Sequence, residues 1–140
     1  MKVFAISFSI CLAAAFALSL FVRFSPVTVA DVPAFPDTNP QGNCELAGGY
    51  YAVQPIGAVD VGALLHRISL TERTRQLSGS AEELPAVFVH RTAVFGLPDL
   101  TQVWVENGNL HIFSHLVYGR SDLGTNRERI QRWLSDTKRR

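Results

Sequence analysis

The chain has 140 residues, 47% of them hydrophobic and 18% charged, with a formal net charge of +1. That length holds one domain with a modest core, and two cysteines, Cys11 and Cys44, exclude both a disulfide framework and a CxxC metal or redox pair. The charge is divided: residues 31–119 carry nine acids against four bases, net −5, and residues 120–140 carry seven bases against three acids, net +4, an asymmetry that bears on partners rather than fold.

Val3 to Val22 runs without a charge between Lys2 and Arg23. In an α-helix that stretch spans ~30 Å, the thickness of bilayer hydrocarbon. Residues 1–23 therefore read as an N-terminal membrane anchor or a signal peptide, with a small-residue cleavage site available after Thr28-Val29-Ala30. Cys11 follows the bulky Ile10 in mid-segment, which argues against a lipoprotein signal. The amino terminus and Lys2 ahead of the span, against Arg23 after it, favour an inside amino terminus. The expected location is the cell (inner) membrane, with the domain facing the periplasm or exterior.

Residues 24–49 hold four of the seven prolines (Pro26, Pro33, Pro36, Pro40) with Gly42, Gly48 and Gly49, and read as an extended tether rather than a packed element. Cys44 reads as a small buried hydrophobe, with a reactive or intermolecular thiol as the alternative. The domain proper is then 50–140. Tyr50 to Ile56 has strand character. Ala58 to Ile68 has amphipathic helical spacing and starts at Gly57 or Asp60. Residues 71–80 suit an exposed edge strand or a loop.

Ala86 to Phe95 is β-branched and aromatic and predicts a strand, broken by a turn at Gly96-Leu97-Pro98-Asp99. Thr101–Glu106 and Asn109–Val117 flank Asn107-Gly108, the strongest short hairpin signal. A two-residue turn fixes the register. Val105 faces Leu110, Val103 faces Ile112 and Thr101 faces Ser114 on the expected core side. Trp104 faces His111 and Gln102 faces Phe113 on a mixed aromatic side that is only partly covered. Thr125-Asn126-Arg127-Glu128 fits a capping box, followed by Ile130, Trp133 and Leu134 on one helical face. The expected fold class is α+β: a small, mostly antiparallel sheet with one or two helices packed on one face, preceded by an N-terminal transmembrane helix.

HRTAVFGLPD and SHLVYGRSDLGTNRERIQRWL, within Phe88 to Leu134, resemble the C-terminal half of the domain of unknown function (DUF) 1499 family. Gly119, Ser121, Asp122, Gly124, Asn126, Arg129 and Ile130 match a G-x-S-D-x-G-x-N-x-x-R-I signature position by position. Thr92, Leu97 and His115 stand where the family often has Ser, an aromatic and Arg. The resemblance implies an N-terminal anchor and an envelope location in bacterial members, and implies no reaction.

The candidate ligand-binding or structural network is Arg91, Asp99, Gly119, Arg120, Ser121, Asp122, Gly124, Asn126 and Arg129. A strand-to-helix junction with free N–H groups and arginines can hold an anion. The same residues can instead serve the fold: Ser121 and Asp122 capping the turn, Gly124 in a left-handed conformation, Asn126 bonding nearby backbone, and Arg129 pairing with Asp122 or Asp99. No catalytic residues are assigned. Ser114, His115 and Asp122 are triad types without a nucleophile elbow, and the first two point to opposite sides of a strand. No metal site and no cofactor is assigned either. His111 and His115, on one strand face, stand ~13 Å apart, and His66 and His90 read as solvent-facing or partner-satisfied.

Two functions follow. The favoured one is a non-enzymatic, membrane-anchored envelope domain that docks a protein or anionic lipid through its aromatic sheet face and basic tail, ending in Lys138-Arg139-Arg140. The alternative is a small anionic-ligand binder, or an enzyme, using the Gly119–Arg129 junction. Export removes nucleic acid as a partner.

Overall fold

The computed structural model describes residues 2–33 and 42–138. Positions 34–41 of the tether and Arg139 and Arg140 of the basic tail lie outside the described residues. α1 (Lys2–Phe24) is one helix whose Ile6–Phe24 stretch is long and apolar enough to cross a membrane, and none of that stretch is buried against the protein. Phe4, Phe8, Phe16 and Phe21 are each more than 60% exposed, a surface that water disfavours and lipid accepts.

Six strands follow: β1 (Cys44–Leu46), β2 (Gly49–Pro55), β3 (Thr74–Ser78), β4 (Ala86–Arg91), β5 (Pro98–Glu106) and β6 (Asn109–Leu116). They form one antiparallel sheet in the order β1-β2-β6-β5-β4-β3. The β5–β6 hairpin has the register that Asn107-Gly108 dictates, with Val105 opposite Leu110, Val103 opposite Ile112 and Trp104 opposite His111. Asn107 and Gly108 both take positive φ, which that two-residue turn requires.

α2 (Val61–Ser69) and α3 (Thr125–Thr137) cover one face of the sheet. Asp60 caps α2, its Oδ1 accepting the Ala63 N–H at 2.9 Å. Leu64, Leu65 and Ile68 of α2 and Ile130, Trp133 and Leu134 of α3 pack on Ala52, Ala86, Phe88, Val103, Leu110 and Ile112. This is the main core. The period-2 strands and the 3.6-period helices thus deliver their apolar positions to one layer.

Three expectations change. The chain after α1 is packed where it was expected to be an extended tether: Val27 is 5% exposed and joins Val87, Val89 and Leu100 in a second core on the opposite sheet face, with Val32 beside it. β1 lies within the same 24–49 segment. The strand predicted to run to Phe95 ends at Arg91, because residues 93–95 turn and Pro98 opens β5. The Thr125–Glu128 capping box does not form. The N-cap is Gly124 at φ +82°, and the cap is supplied from outside the helix by Asp122, whose Oδ2 accepts the Asn126 N–H at 2.8 Å.

Candidate functional site: an arginine-lined cleft at the exit of the first helix

The polar residues of the helix-facing sheet side gather at one end, beneath the first turn of α3. His90 lies between two hydroxyls, Thr74 Oγ1 at 2.7 Å from Nδ1 and Thr101 Oγ1 at 2.8 Å from Nε2. Thr101 and Ser114 hydroxyls meet at 2.8 Å, and Ser114 Oγ donates to Asn126 Oδ1 at 2.7 Å. Arg129 Nη1 closes the row by donating to Asn126 Oδ1 at 2.9 Å and Asp99 Oδ2 at 3.2 Å. Strand alternation explains the grouping. Thr101 faces Ser114 and His90 faces Asp99 in the ladders, so these polar positions share a face with the core but lie past its apolar end.

Burial governs the titration of this row. It pushes the His90 imidazole well below its ordinary value, and the nearby Arg129 charge adds to that. It also pushes the Asp99 carboxyl up, against the opposing pull of Arg129. Asp99 Oδ1 and Asn126 Nδ2 have no partner among the described residues.

Six of the nine sequence-assigned residues line one of two clefts, while Asp99 and Asn126 belong to the buried row. Gly119 stands just ahead of the smaller one, while Arg120, Ser121, Asp122 and Gly124 line it, a space of about 190 Å³ shared with Glu45, Gly48, Gly49 and Arg127. At this junction the chain serves itself. Asp122 accepts the Gly124 and Asn126 N–H groups at 3.2 and 2.8 Å, Ser121 Oγ accepts Leu123 N–H at 3.3 Å, and Arg127 is paired with Glu45. A carboxylate therefore occupies the helix N-terminus that an incoming anion would need.

Arg91 and Arg129 belong instead to a cleft of about 600 Å³ between the C-terminal end of α2, the Thr125–Arg129–Arg132–Trp133 side of α3 and the turn after β4. Five arginines line it: Arg67, Arg73, Arg91, Arg129 and Arg132. Glu72 is the one acid among the lining residues. Arg67 pairs with Asp136 at 2.8 Å, Arg73 with Glu72 at 2.9 Å and Arg129 with Asp99. With Arg91 on the strand face of Val87 and Val89 and bonded toward α1, four guanidinium groups stand against three carboxylates here, an excess of one positive charge. Arg132 makes no ion pair among the described residues. Arg91 is satisfied by backbone alone, donating to the carbonyls of Val22, Gly96 and Ser25 at 2.9, 2.9 and 2.6 Å. Burial lowers its pKa, and the charges of Arg75 and Arg23 act in the same direction against the pull of Tyr118.

Sequence reasoning assigned Arg91 and Arg129 but missed Arg67, Arg73 and Arg132 as their companions. The other sheet face is partly covered, as expected, with Gln102, Trp104 and His111 half-buried around a buried Phe113. Tyr51 and Phe113 are each 2% exposed, and Tyr51 OH bonds His111 Nδ1 at 2.6 Å while Trp104 stacks on His111 with centroids 5.0 Å apart. Cys44 is half-buried, and burial raises its thiol pKa.

The sequence pattern of a family described as a protein of unknown function (DUF1499) matches residues 37–136. The chain belongs to the DUF1499 family. The match takes in every strand, α2, all but the last residue of α3 and the row from His90 to Arg129, and leaves α1 outside. No curated protein and no solved structure matches the chain.

Proposed function

We propose that this DUF1499 chain is a membrane-anchored, non-enzymatic envelope domain whose arginine-lined cleft docks the phosphate-bearing headgroup of an anionic lipid. The observation that carries this reading is a cleft lined by five arginines, one of which, Arg91, bonds the Val22 carbonyl in the last turn of the helix that can cross a membrane. A guanidinium fork matches a phosphate in geometry and charge. A basic patch near an anionic surface gains about 1 kcal/mol per base. Binding is favoured over catalysis because the buried titratable groups beneath the cleft are engaged already, His90 by two hydroxyls and Asp99 by Arg129. The Gly119–Arg129 junction offers less to an anion, since Asp122 and Glu45 supply carboxylates there.

The test uses the intact chain in neutral maltoside micelles. Short-chain phosphatidylglycerol at one hundred times its Kd stabilises the folded state by about 2.7 kcal/mol through mass action. Phosphatidylcholine does not. Inorganic phosphate at matched concentration reports whether a free anion suffices. The Arg73→Gln/Arg132→Gln variant changes exposed side chains and loses the stabilisation. Equal stabilisation of wild type and variant would refute the reading.

A further inference from the structure

We infer that the turn between β4 and β5, residues 92–97, is a second membrane contact, with Val94 and Phe95 entering the leaflet on the domain's side next to α1. These two residues are 72% and 57% exposed. They line a groove of about 880 Å³ whose opposite wall is α1 from Ser9 to Arg23, including Leu12, Phe16 and Leu20. The groove thus runs along the apolar surface of the membrane-crossing helix, from Arg23 back toward Ser9. Acyl chains that surround α1 are the occupant continuous with that surface.

The turn is fixed to the helix. Arg23 Nη2 donates to the Ala93 and Val94 carbonyls at 2.7 and 3.0 Å. Arg91 Nη1 joins the Gly96 carbonyl to that of Val22. Gly96, at φ +68°, lies so close that a Cβ there would meet Arg23 Cβ at 2.8 Å and Cα at 2.9 Å. Any other residue would push the turn off the helix.

Most carbonyls of the turn are also satisfied without water. Thr92 and Leu97 carbonyls accept the Gly96 and Thr92 N–H groups, and Ala93, Val94 and Gly96 carbonyls accept from arginines. Five of the six carbonyls and three of the six N–H groups from Thr92 to Leu97 are therefore satisfied by the chain itself, while the N–H groups of Ala93, Val94 and Phe95 have no partner among the described residues. Unsatisfied N–H and C=O groups keep irregular backbone out of the hydrocarbon, so the two arginines lower that cost on the carbonyl side and the turn belongs at the headgroup end of the leaflet. This inference rests on the proposed membrane crossing of α1 and does not require the headgroup reading.

The test places an environment-sensitive fluorophore on Phe95→Cys in the full chain, with Cys11→Ser and Cys44→Ser, in phosphatidylcholine nanodiscs. Lipids brominated at defined acyl positions serve as quenchers. The expected result is a blue-shifted emission quenched by bromine near the headgroup end of the chains, with little access for aqueous iodide. Water-like emission with full iodide quenching and no bromolipid quenching overturns the inference. So does a blue shift without bromolipid quenching, which would mean that a second copy covers the turn. A label at Glu106→Cys, on the exposed β5–β6 hairpin, provides the aqueous reference. Unchanged circular dichroism of the labelled chain shows that the fold survives.

Discussion

Replacing Arg129 by Met removes the one cation that, among the described residues, bonds the buried Asp99. Asp99 is 2% exposed and its Oδ2 accepts from Arg129 Nη1 at 3.2 Å, while Oδ1 has no partner among the described residues. Breaking a buried pair from one side costs ~3–5 kcal/mol because the remaining charge is left without compensation. Two features put this site at the low end. The Arg129 side chain keeps 15% exposure, and the Asp99 carboxyl, already pushed upward by burial, can escape the penalty by taking a proton. A loss of about 3 kcal/mol is therefore expected at pH 8. In the variant the pull of Arg129 is gone and the Asp99 pKa rises further. A carboxyl whose folded pKa lies above its unfolded value destabilises increasingly as pH rises toward the folded pKa, and the effect vanishes below the unfolded value of about 3.9. The deficit must therefore shrink between pH 8 and pH 5. The assay is denaturant unfolding of the intact chain in maltoside micelles, followed by tryptophan fluorescence at both pH values, with Asp99→Asn added to recover part of the loss. A deficit below about 1 kcal/mol, or one independent of pH, would refute this description of the pair.

His90 gives a second pH signature: its folded pKa lies well below its ordinary value, so the unfolded chain binds a proton below pH ~6.5 that the folded chain refuses. Stability is flat above that pH and falls by up to ~1.4 kcal/mol per unit below it; unfolding of His90→Leu across pH 7.5 to 5.5 should show a flatter slope than wild type. Asp122→Ala removes the carboxylate that accepts the Gly124 and Asn126 N–H groups and should cost about 1 kcal/mol in the same unfolding assay. Val27→Ala deletes two methyl groups from the second core and should cost about 2 kcal/mol; no change would mean that residues 25–33 are not packed on the sheet.

Local signals made much of the fold legible. Asn107-Gly108 is sufficient to set the β5–β6 register, and the i, i+3, i+4 spacing of Ile130, Trp133 and Leu134 is sufficient to seat α3. The pairing of Arg129 with Asp99 was one of two that the sequence allowed, and the sheet decides it by placing Asp99 under the helix. Long-range features were not legible. Val27 sits among prolines that signal a linker, and its partners Val87, Val89 and Leu100 are sixty or more positions away. The cleft was hidden because its arginines come from α2, the start of β3, the end of β4 and α3, and only the chain's topology brings them together. The charge census even assigned Arg67, Arg73 and Arg91 to an acidic body. The capping box failed for a local reason: the Glu128 N–H that the Thr125 hydroxyl would need donates instead to the Gly124 carbonyl at 3.0 Å, so the helix begins one residue earlier and Thr125 is its first helical position.

The headgroup reading meets its most direct test in native mass spectrometry of the intact chain released from nanodiscs of equal phosphatidylglycerol and phosphatidylcholine. The wild type should retain phosphatidylglycerol selectively, and the Arg73→Gln/Arg132→Gln variant should lose that selectivity while remaining folded. Retention of both lipids in equal measure by the wild type, or the same phosphatidylglycerol retention by wild type and variant, would contradict an arginine-lined headgroup site.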